Sequence, residues 1–214
     1  MRIRVIIALV FLCGPTFANT VHIVDGDTLD VDGTRYRING IDAPEAGQKC
    51  KTERGKDWAR GTSATNALFA ITKGKTVRCD SLAVDSYGRD IGRCYAGKTD
   101  IAKAMVAQGM AWAFLKFSDE YEGTQNIAKS AKRGIWRGKA QPAWVFRATK
   151  WEIASQKSPN GCPIKGNISP NGKIYHPPWS PWYNRTRINT SKGERWFCDE
   201  DEALKAGWRA PRWK

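Results

Sequence analysis

The sequence contains only two histidines and no cysteine pair at C-x-x-C spacing, so a structural zinc site is not expected. Beyond its N-terminus it has no apolar run of the ~20 residues needed to span a bilayer, and no internal repeat. Acidic residues are scarce, with 21 Asp and Glu against 35 Lys and Arg. This excess of positive charge indicates nucleic acid, an anionic lipid or an acidic glycan as the partner. The alternative on charge alone is a secreted protein that is basic only for solubility.

The N-terminus has the features of a secretory signal. Two arginines precede an apolar run over residues 5–13, which Gly14 and Pro15 end before a small-residue cleavage site. Leu12 stands where a lipoprotein signal needs a small residue. We therefore predict that residues 1–18 are a cleaved signal peptide and that the protein is secreted or periplasmic. Without them, 33 basic and 21 acidic side chains remain, so the mature protein is itself basic.

Export affects the interpretation of cysteine. Five cysteines remain after the signal, and disulfides are the default in an oxidising compartment. Because five is odd, at least one thiol stays free or pairs between chains. Cys79 and Cys94 lie on consecutive predicted strands, where they either pair across the strands or are buried thiols.

Residues 21–95 have a mostly β pattern. Alternating apolar residues predict strands, and Asp32-Gly33 is a two-residue hairpin signal. The predicted strands are 21–24, 29–31, 34–41, 75–79 and 90–95. Helical spacing predicts three helices. These are 57–72, 99–107 capped by Thr99, and 121–132. Five short strands with a helix after the third predict a mainly β, α+β fold, a five-stranded Greek-key barrel of the OB type.

The composition shifts after the third helix. Residues 147–161 are predicted to be a linker, because the stretch over 156–164 is rich in Ser, Pro, Asn and Gly. Residues 162–214 are predicted to form a small module rich in turn residues and aromatics. Such a short segment buries little core, so we expect a Cys162–Cys198 disulfide to close it. Closing that loop is worth roughly 3–4 kcal/mol in the chain-entropy model.

Three segments carry candidate catalytic residues. The first is Asp25-Gly26-Asp27-Thr28, the second runs over residues 35–45 as R-Y-R-I-N-G-I-D-A-P-E, and the third is D-S-Y-G-R over 85–89. Taken singly, each is ordinary turn chemistry. The acidic spacing of the first does not match an EF-hand loop. Gly40 in the second indicates a bulge, which decides whether Arg37 and Asp42 share a face.

Together these segments resemble the staphylococcal nuclease (thermonuclease) family, whose marks are D-G-D-T, R-x-x-x-x-D-x-P-E and D-x-Y-G-R. All three occur here in the family's order, and the resemblance covers residues 20–146. The resemblance implies a single Ca²⁺ held by Asp27, Asp42 and the backbone carbonyl of Ala43, with Asp25 contributing indirectly or through water. Hard oxygen ligands suit Ca²⁺ and leave room for water and phosphate.

The resemblance also implies the catalytic roles. Glu45 matches the general base that activates the attacking water, a role typically worth about 10²–10⁴-fold in rate. Arg37 and Arg89 match the two arginines that bind the phosphate, which a guanidinium does through two oxygens at once. Tyr87 matches a tyrosine near the bound nucleotide.

The sequence departs from the family pattern in two places. Where the founding member has two tyrosines against the base, this chain has Phe114-Leu115-Lys116-Phe117, so Phe117 and Tyr121 are candidate base-binding or core residues. Exported relatives carry a second cysteine where this chain has Arg60, which makes Cys50 the candidate unpaired thiol.

The tail resembles the small "sunset" modules of exported bacterial proteins. The matching segments are K-G-N at 165–167, Y-H at 175–176, R-W-F-C at 195–198 and A-G-W-R at 206–209. Aromatics beside Arg185, Arg187, Lys192 and Arg195 suit a nucleic-acid or envelope-polymer surface. A disulfide-closed structural cap is the alternative.

The resemblance implies a Ca²⁺-dependent endonuclease that acts on single-stranded or frayed DNA and RNA and leaves 3′-phosphate ends. The predicted signal peptide makes it an exported one, and a monomer is expected. No stable protein partner is implied. The alternatives are a non-catalytic OB-fold nucleic-acid-binding module and an envelope-polymer-binding protein acting through its tail. A scaffolding copy would be expected to lose part of the catalytic set. All five of its residues are present: Asp27, Arg37, Asp42, Glu45 and Arg89.

Overall fold

The computed structural model describes residues 19–51, 55, 57–85 and 89–211. The predicted signal peptide, Tyr87 and the side chain of Cys50 lie outside this part of the chain. No described helix has both the length and the apolar character required to cross a membrane.

A continuous path of five strands within a six-stranded sheet organises the N-terminal two-thirds of the chain. Its strands are β1 (Val21–Ile23), β2 (Thr28–Val31) and β3 (Thr34–Ile38), followed later in the chain by β7 (Val77–Val84) and β8 (Asp90–Ala96). They lie in the order β1-β2-β3-β8-β7, and the β3–β8 pair is parallel. Asn19 hydrogen-bonds Val77, which links the two edges of the sheet. This is the strand order of the predicted OB-type barrel, so the fold class is confirmed.

Short strands complete this domain. They are β4 (Ile41–Asp42), β5 (Lys49–Lys51), β6 (Asp57–Ala59), β9 (Thr99–Asp100) and β10 (Trp112–Ala113). β4 pairs with β10, β5 with β6, and β9 with the end of β8. The predicted strand over 34–41 is therefore two strands, because Gly40 turns the backbone at a φ of 74°. Asp32 and Gly33 also have positive φ values, 50° and 88°, in the predicted hairpin turn.

The three predicted helices are present with altered boundaries. They are α1 (Arg60–Thr72), α2 (Ile101–Ala107) and α3 (Glu122–Ser130). The first begins later than predicted because residues 57–59 pair as a strand with β5. Asp100, not Thr99, caps α2, since its carboxylate accepts a hydrogen bond from the Lys103 amide at 2.9 Å.

The core of this domain lies between the sheet and helices α1 and α2. Fully buried side chains from all of these elements meet there, among them Leu29, Ile38, Leu68, Ile101 and Met105. Cys79 and Cys94 are directly opposite on β7 and β8 and form a disulfide. The cross-strand pairing is therefore the alternative that the structure adopts.

The interval predicted as a linker is mostly helical. A fourth helix, α4 (Ala143–Ser155), contains no glycine or proline, and the turn-rich composition over 156–164 affects only the residues after it. Only a short turn at Pro159–Gly161 separates α4 from the C-terminal module. Helix α4 contacts both parts of the protein, through Arg147 on the barrel side and Trp151 on the side of the C-terminal module.

The C-terminal module has its own small core. It contains β11 (Ile164–Ser169), β12 (Gly172–His176), β13 (Arg195–Phe197) and α5 (Glu200–Lys205), with β11 central in the sheet. Its buried side chains are Ile164, Tyr175, Phe197, Ala203 and Trp208, and Trp151 of α4 packs against them. The predicted Cys162–Cys198 disulfide is present.

Candidate active site

The turn between β1 and β2 carries the first two acidic residues of the site. A Cβ at Gly26 would lie 2.7 Å from the side chains of both Ala43 and Ala64, so only glycine lets the turn pack this closely against β4 and α1. The Asp27 amide donates to Asp25 Oδ1 at 3.0 Å. Close packing therefore fixes both carboxyl groups beside β4.

Arg37 joins the first and second motifs. Its Nη1 donates to Asp27 Oδ1 at 3.1 Å and its Nη2 to Asp42 Oδ1 at 2.8 Å. The backbone amide of Ala43 donates to the other oxygen of Asp27 at 2.8 Å. Because the chain turns at Gly40, the side chains of Arg37 on β3 and Asp42 on β4 lie on the same side of the backbone and make contact. That the backbone carbonyl of Ala43 binds the metal remains a prediction.

Glu45 lies on a loop held by local hydrogen bonds. Its amide donates to Gln48 Oε1 at 3.2 Å, and the Gln48 amide donates back to the Glu45 carbonyl at 2.7 Å. Gln48 Nε2 also donates to the Gln141 carbonyl at 2.7 Å, which ties the loop to the start of α4. A Cβ at Gly61 would come within 2.0 Å of the Glu45 carbonyl oxygen. The N-terminus of α1 therefore supports the loop directly.

A third arginine, Arg147 of α4, reaches into the site. Its Nη1 lies 2.6 Å from Glu45 Oε1 and 3.1 Å from Asp42 Oδ1, and its Nη2 lies 2.9 Å from Asp42 Oδ2. Arg147 is not among the predicted site residues, because it falls in the predicted linker and outside every motif. A helix assigned to 143–155 would have been the only available signal.

Arg89 lies at the edge of the same site. Its amide and Nε donate to the two carboxylate oxygens of Asp85 at 2.9 and 2.7 Å, which closes the third motif into a turn. Arg89 borders the same cleft as Asp25, Arg37 and Glu45. All five residues of the predicted catalytic set therefore lie in or beside one site, whereas Tyr87 lies outside the described residues.

The electrostatics of the site divide the carboxyl groups into two kinds. Burial alone would raise the pKa of Asp27, but Arg37 and the Ala43 amide outweigh it, so this pKa is lowered. Burial and the charge of Asp27 raise the pKa of Asp25 to about 7. Burial also raises the pKa of Glu45 to about 8, although Arg147 opposes it. The pKa of Asp42 is raised by burial and by Asp27, against the two arginines.

The chemistry of this donor set fits a hard divalent cation. Four carboxyl groups lie near the two guanidinium groups of Arg37 and Arg147, namely those of Asp25, Asp27, Asp42 and Glu45. Arg89 forms an ion pair with Asp85. With all four carboxyl groups ionised, a formal surplus of two negative charges remains. A bound divalent cation would balance it and would lower the raised pKa values of Asp25, Asp42 and Glu45. Within the described ranges, no three His, Cys, Asp or Glu side chains are grouped as a complete metal site. A cation would therefore need backbone, water or phosphate oxygens as well.

The site opens into a cleft of about 600 Å³, here called the catalytic cleft. One wall belongs to the OB-type barrel and includes Phe114 and Phe117. The opposite wall belongs to the C-terminal module and includes Pro177, Trp179 and Trp182. The volume is in the range of about 300–1,000 Å³ that is usual for small-ligand sites. The C-terminal module is thus part of the cleft.

The aromatic residues predicted to bind a base have different environments. Phe117 is 69% exposed and packs edge-on against Phe114, with ring centroids 5.1 Å apart. Tyr121 is only 2% exposed, and its hydroxyl donates to Asp100 Oδ2 at 3.1 Å. Its ring also packs beneath Gly40. Tyr121 is therefore a core residue that supports the turn, whereas Phe117 is accessible from the cleft.

Several known proteins are similar in sequence to this chain. The chain is 35% identical over 130 residues to the succinoglycan biosynthesis protein ExoI of Rhizobium meliloti, covering 58% of this chain and 67% of that protein. It is 34% identical over 158 residues to a micrococcal nuclease of Shigella flexneri, covering 65% and 82%. It is 31% identical over 147 residues to an uncharacterized endonuclease of Escherichia coli, covering 65% and 90%.

Two families match different parts of the chain. The family described only as ArfC matches residues 151–210, which correspond to the end of α4 and the C-terminal module. The likeness of this module to sunset modules remains a prediction. Staphylococcal nuclease homologues match residues 35–138, the segment that contains the second and third motifs. Because relatives are also matched over two-thirds or more of their own length, the chain belongs to the staphylococcal nuclease family.

Proposed function

We propose that the protein is an exported, Ca²⁺-dependent endonuclease that hydrolyses phosphodiester bonds in single-stranded or frayed DNA and RNA. The observation that carries the proposal is the bridge from Arg37 to Asp27 and Asp42, with Glu45 beside them in the same cleft. Two relatives bear the names micrococcal nuclease and endonuclease, which agrees with this chemistry.

Asp27, Asp42 and the backbone carbonyl of Ala43 would hold the metal. When bound, Ca²⁺ would supply positive charge that offsets the negative charge of the phosphate. The rest of the chemistry belongs to the protein's own side chains. A phosphodiester repels nucleophiles, so the site must neutralise charge and position a water molecule.

Glu45 would accept a proton from the attacking water. Its raised pKa suits this task, because a general base works best with a pKa near the working pH. The water oxygen then forms a bond to phosphorus as the bond to the 5′-oxygen breaks. The departing 5′-oxygen takes up a proton from solvent, and Glu45 returns the proton that it accepted to solvent. The product ends are a 3′-phosphate and a 5′-hydroxyl.

Arg37 and Arg89 would stabilise the charge that develops on the phosphate oxygens. Each guanidinium is held at the cleft by a carboxylate, Asp27 and Asp42 for Arg37 and Asp85 for Arg89. Asp27 and Asp42 raise the pKa of Arg37 although burial lowers it, so the guanidinium stays charged. A fixed, permanently charged fork suits two phosphate oxygens.

Export is supported by the predicted signal over residues 1–18 and by two disulfides, which belong to oxidising compartments. It would be tested by N-terminal sequencing of the protein recovered from the periplasm or medium. A mature N-terminus near Asn19 is expected, and an intact Met1 in the cytoplasm would contradict export.

The activity is tested by incubating the oxidised protein with denatured DNA in the presence of Ca²⁺ or of a chelator. Cleavage that requires Ca²⁺ is expected. Absence of chelator-sensitive cleavage would remove the enzyme proposal, and retained gel-shift binding would then favour a non-catalytic OB-fold module. Binding of an acidic glycan without either property would favour the envelope-polymer alternative.

A further inference from the structure

A second cleft, here called the basic cleft, lies between α4 and the C-terminal module. Its volume is about 320 Å³. Four basic side chains and two aromatic rings line it, namely Lys150, Lys157, Lys165, Arg187, Tyr183 and Trp196. None of the ten described residues that line it is acidic. The proposed catalytic chemistry makes no use of this cleft.

The basic cleft adjoins the catalytic cleft. Helix α4 contributes Arg147 to the catalytic cleft and Lys150, Ile153 and Ala154 to the basic cleft, and Lys157 lies in the turn just after the helix. On the opposite side, Trp179 lines the catalytic cleft and its neighbour Pro178 lines the basic cleft. At a rise of 1.5 Å per helical residue, Arg147 and Ala154 are about 10 Å apart along α4. That length corresponds to roughly three nucleotides at ~3.4 Å per nucleotide of a strand.

Lys165 is the strongest indication that the basic cleft binds an anion. It is only 8% exposed, and its Nζ donates to the carbonyls of Tyr183 and Thr186, both at 2.9 Å. These partners are neutral and use two of its three N–H donors. Burial and the charge of Arg187 lower the pKa of Lys165. The rings of Tyr183 and Trp196, with centroids 4.2 and 5.5 Å from Nζ, offset part of the cost of burying this ammonium group. No carboxylate lines the cleft, so an anion at the third donor would offset the rest.

The other cations of the basic cleft also lack countercharges. Lys150, Lys157 and Arg187 are exposed, and none of them pairs with a carboxylate among the described residues. Arg187 Nη1 instead donates to the Asn184 carbonyl at 2.6 Å. Elsewhere in the same module, Arg195 pairs with Glu202 and Lys205 with Asp201. The positive charge of the basic cleft is therefore not offset by any carboxylate among the described residues that line it.

We propose that the basic cleft binds the phosphates of a single nucleic-acid strand that extends beyond the bond being cleaved. The proposal rests on the proposed function for the part of the strand in the catalytic cleft. Phosphates would lie near Lys150, Lys157 and Arg187. The rings of Tyr183 and Trp196 would contact bases, as aromatic rings do in sequence-tolerant single-strand binding. The C-terminal module would thus lengthen the substrate-binding surface.

The test compares binding of a short and a long strand. Full-length protein carrying Glu45→Gln, which should bind without cleaving, is titrated in Ca²⁺ with labelled oligodeoxythymidylates of about 4 and about 16 nucleotides. Lys157→Gln with Arg187→Gln removes two exposed charges from the basic cleft. Lys73→Gln with Lys75→Gln removes two exposed charges near the end of α1 and is the matched control. Affinity is measured over a range of salt concentrations.

The long strand should bind the parent more tightly than the short strand, and the double change in the basic cleft should remove that advantage. The salt dependence for the long strand should fall by about 1.4 in slope, which is ~0.7 for each single-strand phosphate contact. Binding of the short strand and the behaviour of the control should not change. An unchanged long-strand affinity and slope, or an equal loss in the control, would overturn the proposal.

Two further measurements distinguish this proposal from the proposed nuclease function and from binding to a lipid surface. Cleavage of the same strands by protein with Glu45 intact reports on the proposed function alone, so either proposal can fail while the other stands. Binding to vesicles containing phosphatidylglycerol tests a lipid surface as the alternative. If the cleft variant loses vesicle binding but retains long-strand binding, the basic cleft serves a membrane and the nucleic-acid proposal is wrong.

Discussion

Arg147 Nη1 lies 2.6 Å from Glu45 Oε1, although more than a hundred positions separate the two residues in the sequence. The same guanidinium spans both oxygens of Asp42, a side chain with 0% exposure. The pKa of Arg147 is raised by Glu45 and Asp42 against the effect of burial. Arg147 therefore balances charge on a residue that would hold the metal and on the residue that would act as base.

Replacing Arg147 with glutamine should make the protein less stable in chelator and more responsive to Ca²⁺. Removing one partner of a largely buried ion pair leaves Asp42 and Glu45 without that charge, at a cost of about 1–3 kcal/mol after allowing for partial exposure. Ca²⁺ would no longer compete with the guanidinium, so its affinity and the stabilisation it gives should both rise. Thermal unfolding with and without Ca²⁺, together with calorimetric titration, measures these effects.

Arg147→Lys should behave between the parent and Arg147→Gln, because it keeps the charge but not the fork that spans Asp42. Arg195→Gln is the matched control, since it breaks an exposed pair with Glu202 that should be worth less than about 1 kcal/mol. A Ca²⁺ affinity that is the same in Arg147→Gln and in the parent would show that Arg147 does not oppose the cation.

Glu45→Gln and Asp42→Asn should have different effects on catalysis and metal binding. Without a proton acceptor at position 45, turnover should fall by about 10²–10⁴-fold while Ca²⁺ binding stays close to that of the parent. Asp42→Asn removes a charged oxygen ligand, so Ca²⁺ binding should weaken first and activity should partly return at high Ca²⁺. Single-turnover rates and Ca²⁺ titrations distinguish these outcomes. Full activity in both variants would refute the assigned roles.

The sequence was sufficient to predict the fold and the closely spaced part of the site. Asp27, Arg37 and Asp42 are within sixteen positions of one another, and the turn at Gly40 brings the last two together. Local patterns determine such an arrangement, because strand alternation and one glycine turn fix which side chains share a face.

Residues brought together by distant segments could not be predicted in this way. Arg147 meets Asp42 and Glu45 only because α4 packs beside the barrel, and no spacing rule connects these positions. The environment of Tyr121 also depends on packing between distant parts of the chain. An aromatic residue near the end of a loop suits either a base or the core, and packing against Gly40 puts it in the core. The contribution of Trp179 and Trp182 to the cleft also depends on how the module packs.

Gly61→Ala should displace the Glu45 loop. A methyl group at position 61 would lie 2.0 Å from the Glu45 carbonyl oxygen and 2.5 Å from the Ala46 Cα, both of them backbone atoms. Overpacking of this kind costs about 1–3 kcal/mol, more than the helix propensity that alanine adds. Activity should fall further than stability, because the base moves away from the cleft.

The control for this change is Gly123→Ala in α3, where no atom lies within 4 Å of the added methyl group. Alanine there should be neutral or stabilise the protein by up to about 1 kcal/mol without changing activity. Thermal unfolding and initial cleavage rates are measured for both variants. If Gly61→Ala matches the parent in both, the contact between α1 and the loop is not needed to position Glu45.

His176 should make the C-terminal module less stable in mild acid. Its ring is 6% exposed, with Nε2 3.0 Å from Asn167 Oδ1 and Nδ1 3.3 Å from Ser180 Oγ. Burial, together with the nearby charges of Arg185 and Lys165, lowers the pKa of His176 from 6.5 to about 4. The folded module therefore holds the imidazole neutral over a pH range in which the unfolded chain would protonate it.

The sign of the pH effect follows from that lowered pKa. Above pH 6.5 both states are neutral at His176, so its contribution to stability is fully present. As the pH falls from 6.5 toward 4 the unfolded state takes up a proton that the folded state does not, and stability is lost by at most about 1.4 kcal/mol per pH unit. Below that range the loss levels off.

Denaturant unfolding followed by tryptophan fluorescence gives the free energy of unfolding at each pH. Between pH 6.5 and 4 it should fall less steeply with decreasing pH in His176→Gln than in the parent. Because other groups titrate in both proteins, only the difference between them tests the role of His176, and identical slopes would contradict it.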